Sequence, residues 1–376
     1  MKTLFSFCCH LILAALTLVN AQTGRFYSTD KELSNSLINK VYQDKRGFIW
    51  VATEDGLNKF DGNRFIVYKK NKNEPDGLMN NYVKTLFEDS KGRFWIACIN
   101  GIQIYDQATN TFQTIPIQHN RDNMAPQTSA NIIELQNGEI WLGTYGGGII
   151  SLKDNKFIPQ EELNRKIQSY FIQTIYEDSK QNIWIATENK GLFCYTPSNG
   201  QVQNFTAPGQ LTSEDISCFC EDKEGTLFIS TLNGGLMKLN PSSHHFTPIP
   251  YKGNNRLSIK TLTIDKNNNL YIGTEGFGLK IYNRNTNSIE DYDVHNGVFD
   301  LGSSKVHSVL EDKDGNLWLG IFQKGLLMIP SMPNKFNYYG YKSFPKSEIG
   351  SSCVMSILVD RQNVAWIATD NDGLYA

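Results

Sequence analysis

One phrase returns eight times along this chain, and a repeat of that length leaves few folds open. It reads VYQDKRGFIWVATEDGL (41–57), VKTLFEDSKGRFWIACINGI (83–102), IIELQNGEIWLGTYGGGI (132–149) and IQTIYEDSKQNIWIATENKGL (172–192). It continues as ISCFCEDKEGTLFISTLNGGL (216–236), TLTIDKNNNLYIGTEGFGL (261–279), VHSVLEDKDGNLWLGIFQKGL (306–326) and VMSILVDRQNVAWIATDNDGL (354–374). An aromatic anchor falls at Trp50, Trp95, Trp141, Trp184, Phe228, Tyr271, Trp318 and Trp366, with gaps of 45, 46, 43, 44, 43, 47 and 48 residues. All 6 tryptophans of the protein occupy this one slot.

Each unit reads as four short strands. In the second copy an alternating run, Val83 to Phe87, ends in the acidic turn Glu88-Asp89-Ser90-Lys91-Gly92. The near-continuous apolar run Arg93 to Ala97 follows, then Ile102 to Tyr105 and Thr111 to Ile115. No helical 3.6-residue period of useful length is present. Four-stranded units of this length are the signature of β-propeller blades. A sandwich strand would alternate between core and solvent, whereas Ile49-Trp50-Val51-Ala52 is apolar on both faces and must be covered on both sides. Two residues past the anchor the side chain is always small: Ala52, Ala97, Gly143, Ala186, Ser230, Gly273, Gly320 and Ala368. Large then small on one face suits wedge-shaped blades converging on an axis.

The acidic turns read as tight hairpins. Asp44, Asp89, Asp178, Asp222 and Asp312 would cap them, with Gly47, Gly92, Gly225 and Gly315 in the left-handed conformation. Asn182 stands where a turn glycine is usual. Asp312-Lys313-Asp314-Gly315-Asn316 opens like a calcium loop, but the strand resumes at Leu317-Trp318 before any bidentate glutamate. No metal site is expected from this motif or from the 6 histidines.

Seven intervals separate Trp50 from Trp366, and the eighth copy has barely begun its third strand at the last residue. The expectation is therefore an all-β fold: a seven-bladed propeller over 22–341, followed over 342–376 by the incomplete first part of a second. Gly24 to Ser28 has the composition to supply one outer strand. Lys2, the apolar run Leu4 to Val19 and Val19-Asn20-Ala21 have the layout of a signal peptide over 1–21, which predicts export. Of 7 cysteines, five remain after such cleavage: Cys98, Cys194, Cys218, Cys220 and Cys353. An odd number in an exported chain does not read as a disulfide scaffold; small buried hydrophobes suit them better. Lys+Arg 36 against Asp+Glu 38 leaves −2, which argues against nucleic-acid binding.

The phrase [VI]-x-x-[IL]-x-E-D-x-x-G-x-[IL]-W-[IL]-[AG]-T-x-x-x-G-L resembles the two-component regulator propeller repeat. Leu37 to Val41 and Gly56 to Gly62 resemble that family's opening. The resemblance implies the periplasmic sensor half of a histidine kinase, often a hybrid one. In that arrangement two propellers precede a β-sandwich, a membrane span and a cytoplasmic kinase, and the full-length protein is a homodimer. It also implies sensing of oligosaccharides released from complex glycans, and no cofactor.

Propellers also host lyases, glycosidases and purely structural or protein-binding modules. No nucleophile elbow is present, no catalytic residue is assigned, and a glycosidase carboxylate pair cannot be picked from sequence. Chemical variety lies in the second-to-third-strand loops (Tyr145, Glu188, Glu275, Phe277, Phe322) and in the blade connections (Arg165, Tyr251, Arg256). Both sets fall at one end of the ring, so these eight are the candidate ligand contacts.

Overall fold

The computed structural model describes residues 24–29, 32–118, 127–188, 190–240, 245–252, 257–292, 301–331, 349–350 and 353–376. Two compact units emerge, one holding residues 25–293 and 301–328, the other holding 329–376. The expected signal segment, Arg256 and the boundary at 341 lie outside the described residues.

The larger unit contains seven four-stranded antiparallel sheets. Blade 1 runs through Ile38–Gln43, Ile49–Thr53, Gly56–Phe60 and Phe65–Tyr68. Blades 2 to 6 span 83–115, 127–159, 172–205, 216–249 and 259–291 in the same order. Blade 7 takes Val306–Glu311, Leu317–Ile321 and Gly325–Ile329 from one end of the chain and Arg25–Tyr27 from the other. Arg25–Tyr27 pairs with Met328–Leu326, so the outer strand of the seventh blade comes from the segment that precedes the first. Ring closure is sealed inside as well, where Val41 N–H donates to Ser308 Oγ at 2.8 Å.

The anchors do what their periodicity demands. Trp50, Trp95, Trp141, Trp184, Phe228 and Trp318 are buried, and Tyr271 is half-buried. Several lie against the following blade: Trp50 on Phe94, Trp95 on Phe157, Trp184 on Phe246 and Trp318 edge-on to Phe60, while Trp318 also stacks on Tyr27 of its own blade. The small residue two places later faces the next inner strand. A Cβ on Gly320 would stand 2.7 Å from Ile38 Cγ2, and one on Gly273 2.5 Å from Val306 O. That is the steric origin of the small-residue rule.

The acidic turns carry more than a cap. Asp178 Oδ1 accepts from Asn182 N–H, as expected of a turn, but its Oδ2 accepts from Trp184 Nε1 at 2.8 Å. The same bond joins Asp44 to Trp50, Asp89 to Trp95 and Asp312 to Trp318. In blade 3 Leu135 occupies the aspartate slot, and Glu139 takes over the indole of Trp141. In blade 5 the anchor is Phe228, which has no N–H, and Asp222 is engaged instead by Arg284 at 2.6 Å. The left-handed turn position in blade 4 is Gln181 (φ 66), one place before Asn182. Asn268 (φ 67) holds it in blade 6.

One helix departs from the all-strand reading. Glu161–Ile167 forms a short turn of α-helix in the connection from blade 3 to blade 4, burying Leu163, Asn164 and Ile167. Seven residues are too few for a helical period to stand out from sequence. Among the described residues no helix is long and apolar enough to cross a membrane, and no disulfide joins the five cysteines.

The second unit carries a three-stranded sheet, Val354–Val359, Ala365–Thr369 and Leu374–Tyr375. It repeats the blade chemistry, with Trp366 Nε1 donating to Asp360 Oδ2 at 2.8 Å. Its apolar residues are exposed: Met355 66%, Ile357 64% and Leu358 63%.

Candidate functional site

The second-to-third-strand loops of the larger unit fold over the entrance of the innermost strands. Glu54 N–H donates to Leu37 O, Ile99 to Tyr82 O, Glu188 to Phe171 O, Glu275 to Ser258 O and Phe322 to Lys305 O. The loop glycines reach across to the next blade, Gly56 N–H to Asn81 O and Gly278 N–H to Ser304 O. A Cβ on Gly278, at φ +74, would stand 2.3 Å from Leu301 O, so only glycine allows this approach. Loops and connections therefore share one end of the ring.

At that end every innermost strand breaks register. Pairing shifts between Ile38 and Lys40, Val83 and Thr85, Thr128 and Ile132, Ile172 and Thr174, Ile216 and Cys218, Ile259 and Thr261, and Val306 and Ser308. A bulge re-aims the side chain it frees. Here the skipped residues Asn39, Lys84, Gln173, Ser217, Lys260 and His307 all line one central channel, a cavity of about 410 Å³. Lys40, Tyr82, Asn131, Thr174 and Cys218 are among the other lining groups.

Some of these groups stitch blades together. Asn131 receives Ile175 N–H at 3.0 Å and donates to Ile175 O at 2.7 Å, and Asn39 donates to Val83 O at 2.8 Å. The lysines do not. Lys40, Lys84 and Lys260 have no ion-pair partner among the described residues, and no described lining residue is an aspartate or glutamate. Burial pushes the Lys84 ammonium below its ordinary range; Glu54 opposes that shift and the charge of Lys260 adds to it. Burial lowers Lys40 in the same way.

The sequence-derived candidates divide. Glu275 accepts from Lys305 and from the His307 ring, each at 2.6 Å, and Phe322 lies over that ring at 4.5 Å. Tyr145 donates to Glu188 at 2.7 Å and packs edge-on against Phe171. Phe277 is exposed, 48%, and its carbonyl accepts from Lys280. Tyr251 donates to Asp291 at 2.9 Å, beside Lys252 and Lys280, which both pair with that carboxylate. Arg165 lies exposed on the short helix and bonds back to Glu161 O. The structure thus joins Glu275 to Phe322 through His307, and Tyr145 to Glu188. Neither Tyr251 nor Arg165 shares a hydrogen bond, ion pair or ring contact with these groups.

Sequence reasoning missed the channel residues. Their signal was the pair opening each inner strand: Asn39-Lys40, Lys84-Thr85, Gln173-Thr174, Ser217-Cys218, Lys260-Thr261 and His307-Ser308. It changes from copy to copy where its apolar neighbours do not. A second recess, of about 560 Å³, lies between 67–78 and Asn110–Phe112.

Comparison with known proteins agrees with this architecture. The family model described as "Two component regulator propeller" matches residues 32–55, 77–100, 166–189, 210–233 and 300–323. Histidine kinase P4 of Formosa agariphila is 32% identical over 43% of this chain and 16% of its own length. The extracellular domain of the putative hybrid two component system BT3049 from B. thetaiotaomicron superposes with a TM-score of 0.70 at 23% identity, covering 94% of this chain and 53% of that one. That of BT4673 gives 0.69 at 21% identity, over 95% and 46%. A streptogramin B lyase has the same fold at TM-score 0.57 and 16% identity, covering 81% of this chain and 97% of its own. The chain spans about half the length of the two-component domains. Five copies of the repeat are matched by the family's own model, so the chain carries the two-component regulator propeller repeat.

Proposed function

We propose that residues 22–341 are the ligand-sensing propeller of a two-component sensor, exported to the periplasm behind a signal segment at 1–21. Its ligand is a small product of glycan breakdown, and its bound state is passed to a histidine kinase region joined to the same polypeptide. The observation that carries this reading is the match of five repeats to the regulator family, supported by the likeness to extracellular domains of hybrid two-component systems. The ring supplies binding and relay in this scheme, and catalysis belongs to the joined kinase. Residues 342–376 open a second propeller, whose further blades would cover the exposed apolar faces of Met355, Ile357 and Leu358.

Calorimetric titration of the purified protein against neutral and acidic oligosaccharides tests this proposal. Saturable binding of at least one of them is expected. A triple variant, Tyr145→Ala, Phe277→Ala and Phe322→Ala, then asks whether the loop aromatics contribute. Absence of binding to any member of a broad panel would remove the sensing role.

A further inference from the structure

Three lysines converge on the channel, and no carboxylate lines it among the described residues. This cation cluster sits in a protein whose overall charge is −2. Lys84 and Lys260 both occupy bulge positions, so the backbone departs from regular pairing to direct them inward. Their charges are close enough for Lys260 to depress Lys84. Like charges held together without a partner cost stability, and an anion between them would relieve that cost. The nearby acids form no ion pair with these lysines: Glu275 is taken by Lys305 and His307, and Glu54, whose charge eases Lys84 more than Lys260 strains it, accepts from Tyr82 at 3.0 Å and stays outside the channel lining.

A second observation comes from the opposite wall. Gln173, the bulge residue of blade 4, lines the same channel, and its Oε1 is buried with no hydrogen-bond partner. An unpaired buried acceptor calls for a donor. A simple inorganic anion such as sulfate has none to give, whereas a hydroxyl does.

We propose that the central channel binds a small hydroxylated anion, a sugar acid of the uronate class. Its carboxylate would sit between Lys84 and Lys260, with Lys40 on the channel wall, and a ring hydroxyl would donate to Gln173 Oε1. This deepens the sensing reading and rests on it, by naming the chemistry of the ligand and moving its charged end from the loop rim into the channel.

The test is calorimetry on the intact protein with galacturonate and glucuronate and their short oligomers. Neutral galactose and glucose counterparts, and inorganic sulfate and phosphate, form the control arms. Acidic sugars should bind, with affinity falling as salt is raised. Lys84→Met with Lys260→Met should weaken binding by about tenfold or more. The same pair of changes should leave the denaturation midpoint unchanged or raised, because it removes repulsion; this keeps loss of binding distinct from loss of fold. Restoring both charges as arginine should recover part of the affinity. Equal binding of neutral and acidic sugars, or unchanged affinity in the double methionine variant, would overturn the channel assignment while leaving the sensing role standing. Sulfate or phosphate binding as tightly as the uronates would overturn the sugar-acid class. Failure of every sugar, neutral or acidic, would remove the sensing role itself.

Discussion

Trp184 Nε1 donates to Asp178 Oδ2 at 2.8 Å, with both residues buried, so one carboxylate holds a hairpin turn and a blade anchor at once. The bond explains why aspartate and tryptophan travel together six residues apart. Where the partnership fails the structure compensates, through Glu139 in blade 3 and Arg284 in blade 5.

Asp178→Ala should therefore destabilise by roughly 2–3 kcal/mol, because it orphans a buried indole N–H as well as the turn amides. Urea denaturation followed by tryptophan fluorescence reads this directly. A loss under about 0.5 kcal/mol, the size of an ordinary surface change, would show that the indole bond contributes nothing.

Emptying an anchor costs more. Trp95→Ala and Trp184→Ala should each lose roughly 3–5 kcal/mol, the range for truncating a large buried aromatic. An unchanged midpoint and slope in chemical denaturation would contradict their place in the core.

Arg284 stabilises blade 5 from blade 6. Its guanidinium bonds Asp222 at 2.6 Å and Asn268 O at 2.9 Å. Arg284→Met should cost about 1–3 kcal/mol by leaving the buried Asp222 carboxylate short of a partner. In the Asp222→Asn background the same change should cost less, and a double-mutant cycle by denaturation measures the difference.

Ring closure depends on three residues. Tyr27 is buried against Trp318, Phe60 and Phe65. Tyr27→Ala should lose roughly 3–5 kcal/mol, and removal of Arg25–Tyr27 should bare the edge strand of blade 7 and promote self-association. Size-exclusion chromatography with light scattering checks the second outcome; a monomer as stable as the parent would refute the closure.

Acidification should destabilise the fold. Burial raises the Glu275 carboxyl, but hydrogen bonds from Lys305 and His307 outweigh it and hold the group below its ordinary range. Burial likewise opposes, and the Trp95 and Arg93 bonds outweigh, at Asp89. A depressed carboxylate contributes stability that is complete above the unfolded value and lost as pH falls through the folded one. His307 has the same sign, since burial lowers its ring and folding favours the neutral form. Unfolding free energy should be level around neutral pH, decline below about 6.5, and fall further below about 4 as the carboxylates protonate. Denaturation across a pH series tests the order, and a rise in stability on acidification would contradict it.

The repeat phrase was enough to specify blades, anchors and the small residue behind each anchor. These are local or nearest-neighbour requirements, and each is written within one copy. Phe228 and Tyr271 keep the slot without the indole, which sequence alone presents as drift. The structure shows Arg284 engaging Asp222 where the indole is missing, whereas the Asn269 Nδ2 bond to Asp265 at 2.8 Å repeats one that Asn182 and Asn316 make beside intact tryptophans. The loop residues Tyr145, Glu188, Glu275 and Phe322 were legible as varied positions at one end of the ring, but their pairings were not, because each partner belongs to another strand or blade. The channel was invisible for a stronger reason. Lys40, Lys84, Gln173, Lys260 and His307 come from five blades spread over 268 residues of sequence, and only closure of the ring brings them around one axis. A bulge decides whether such a residue faces the axis or its neighbour, and a bulge is a property of strand pairing, which no single strand encodes.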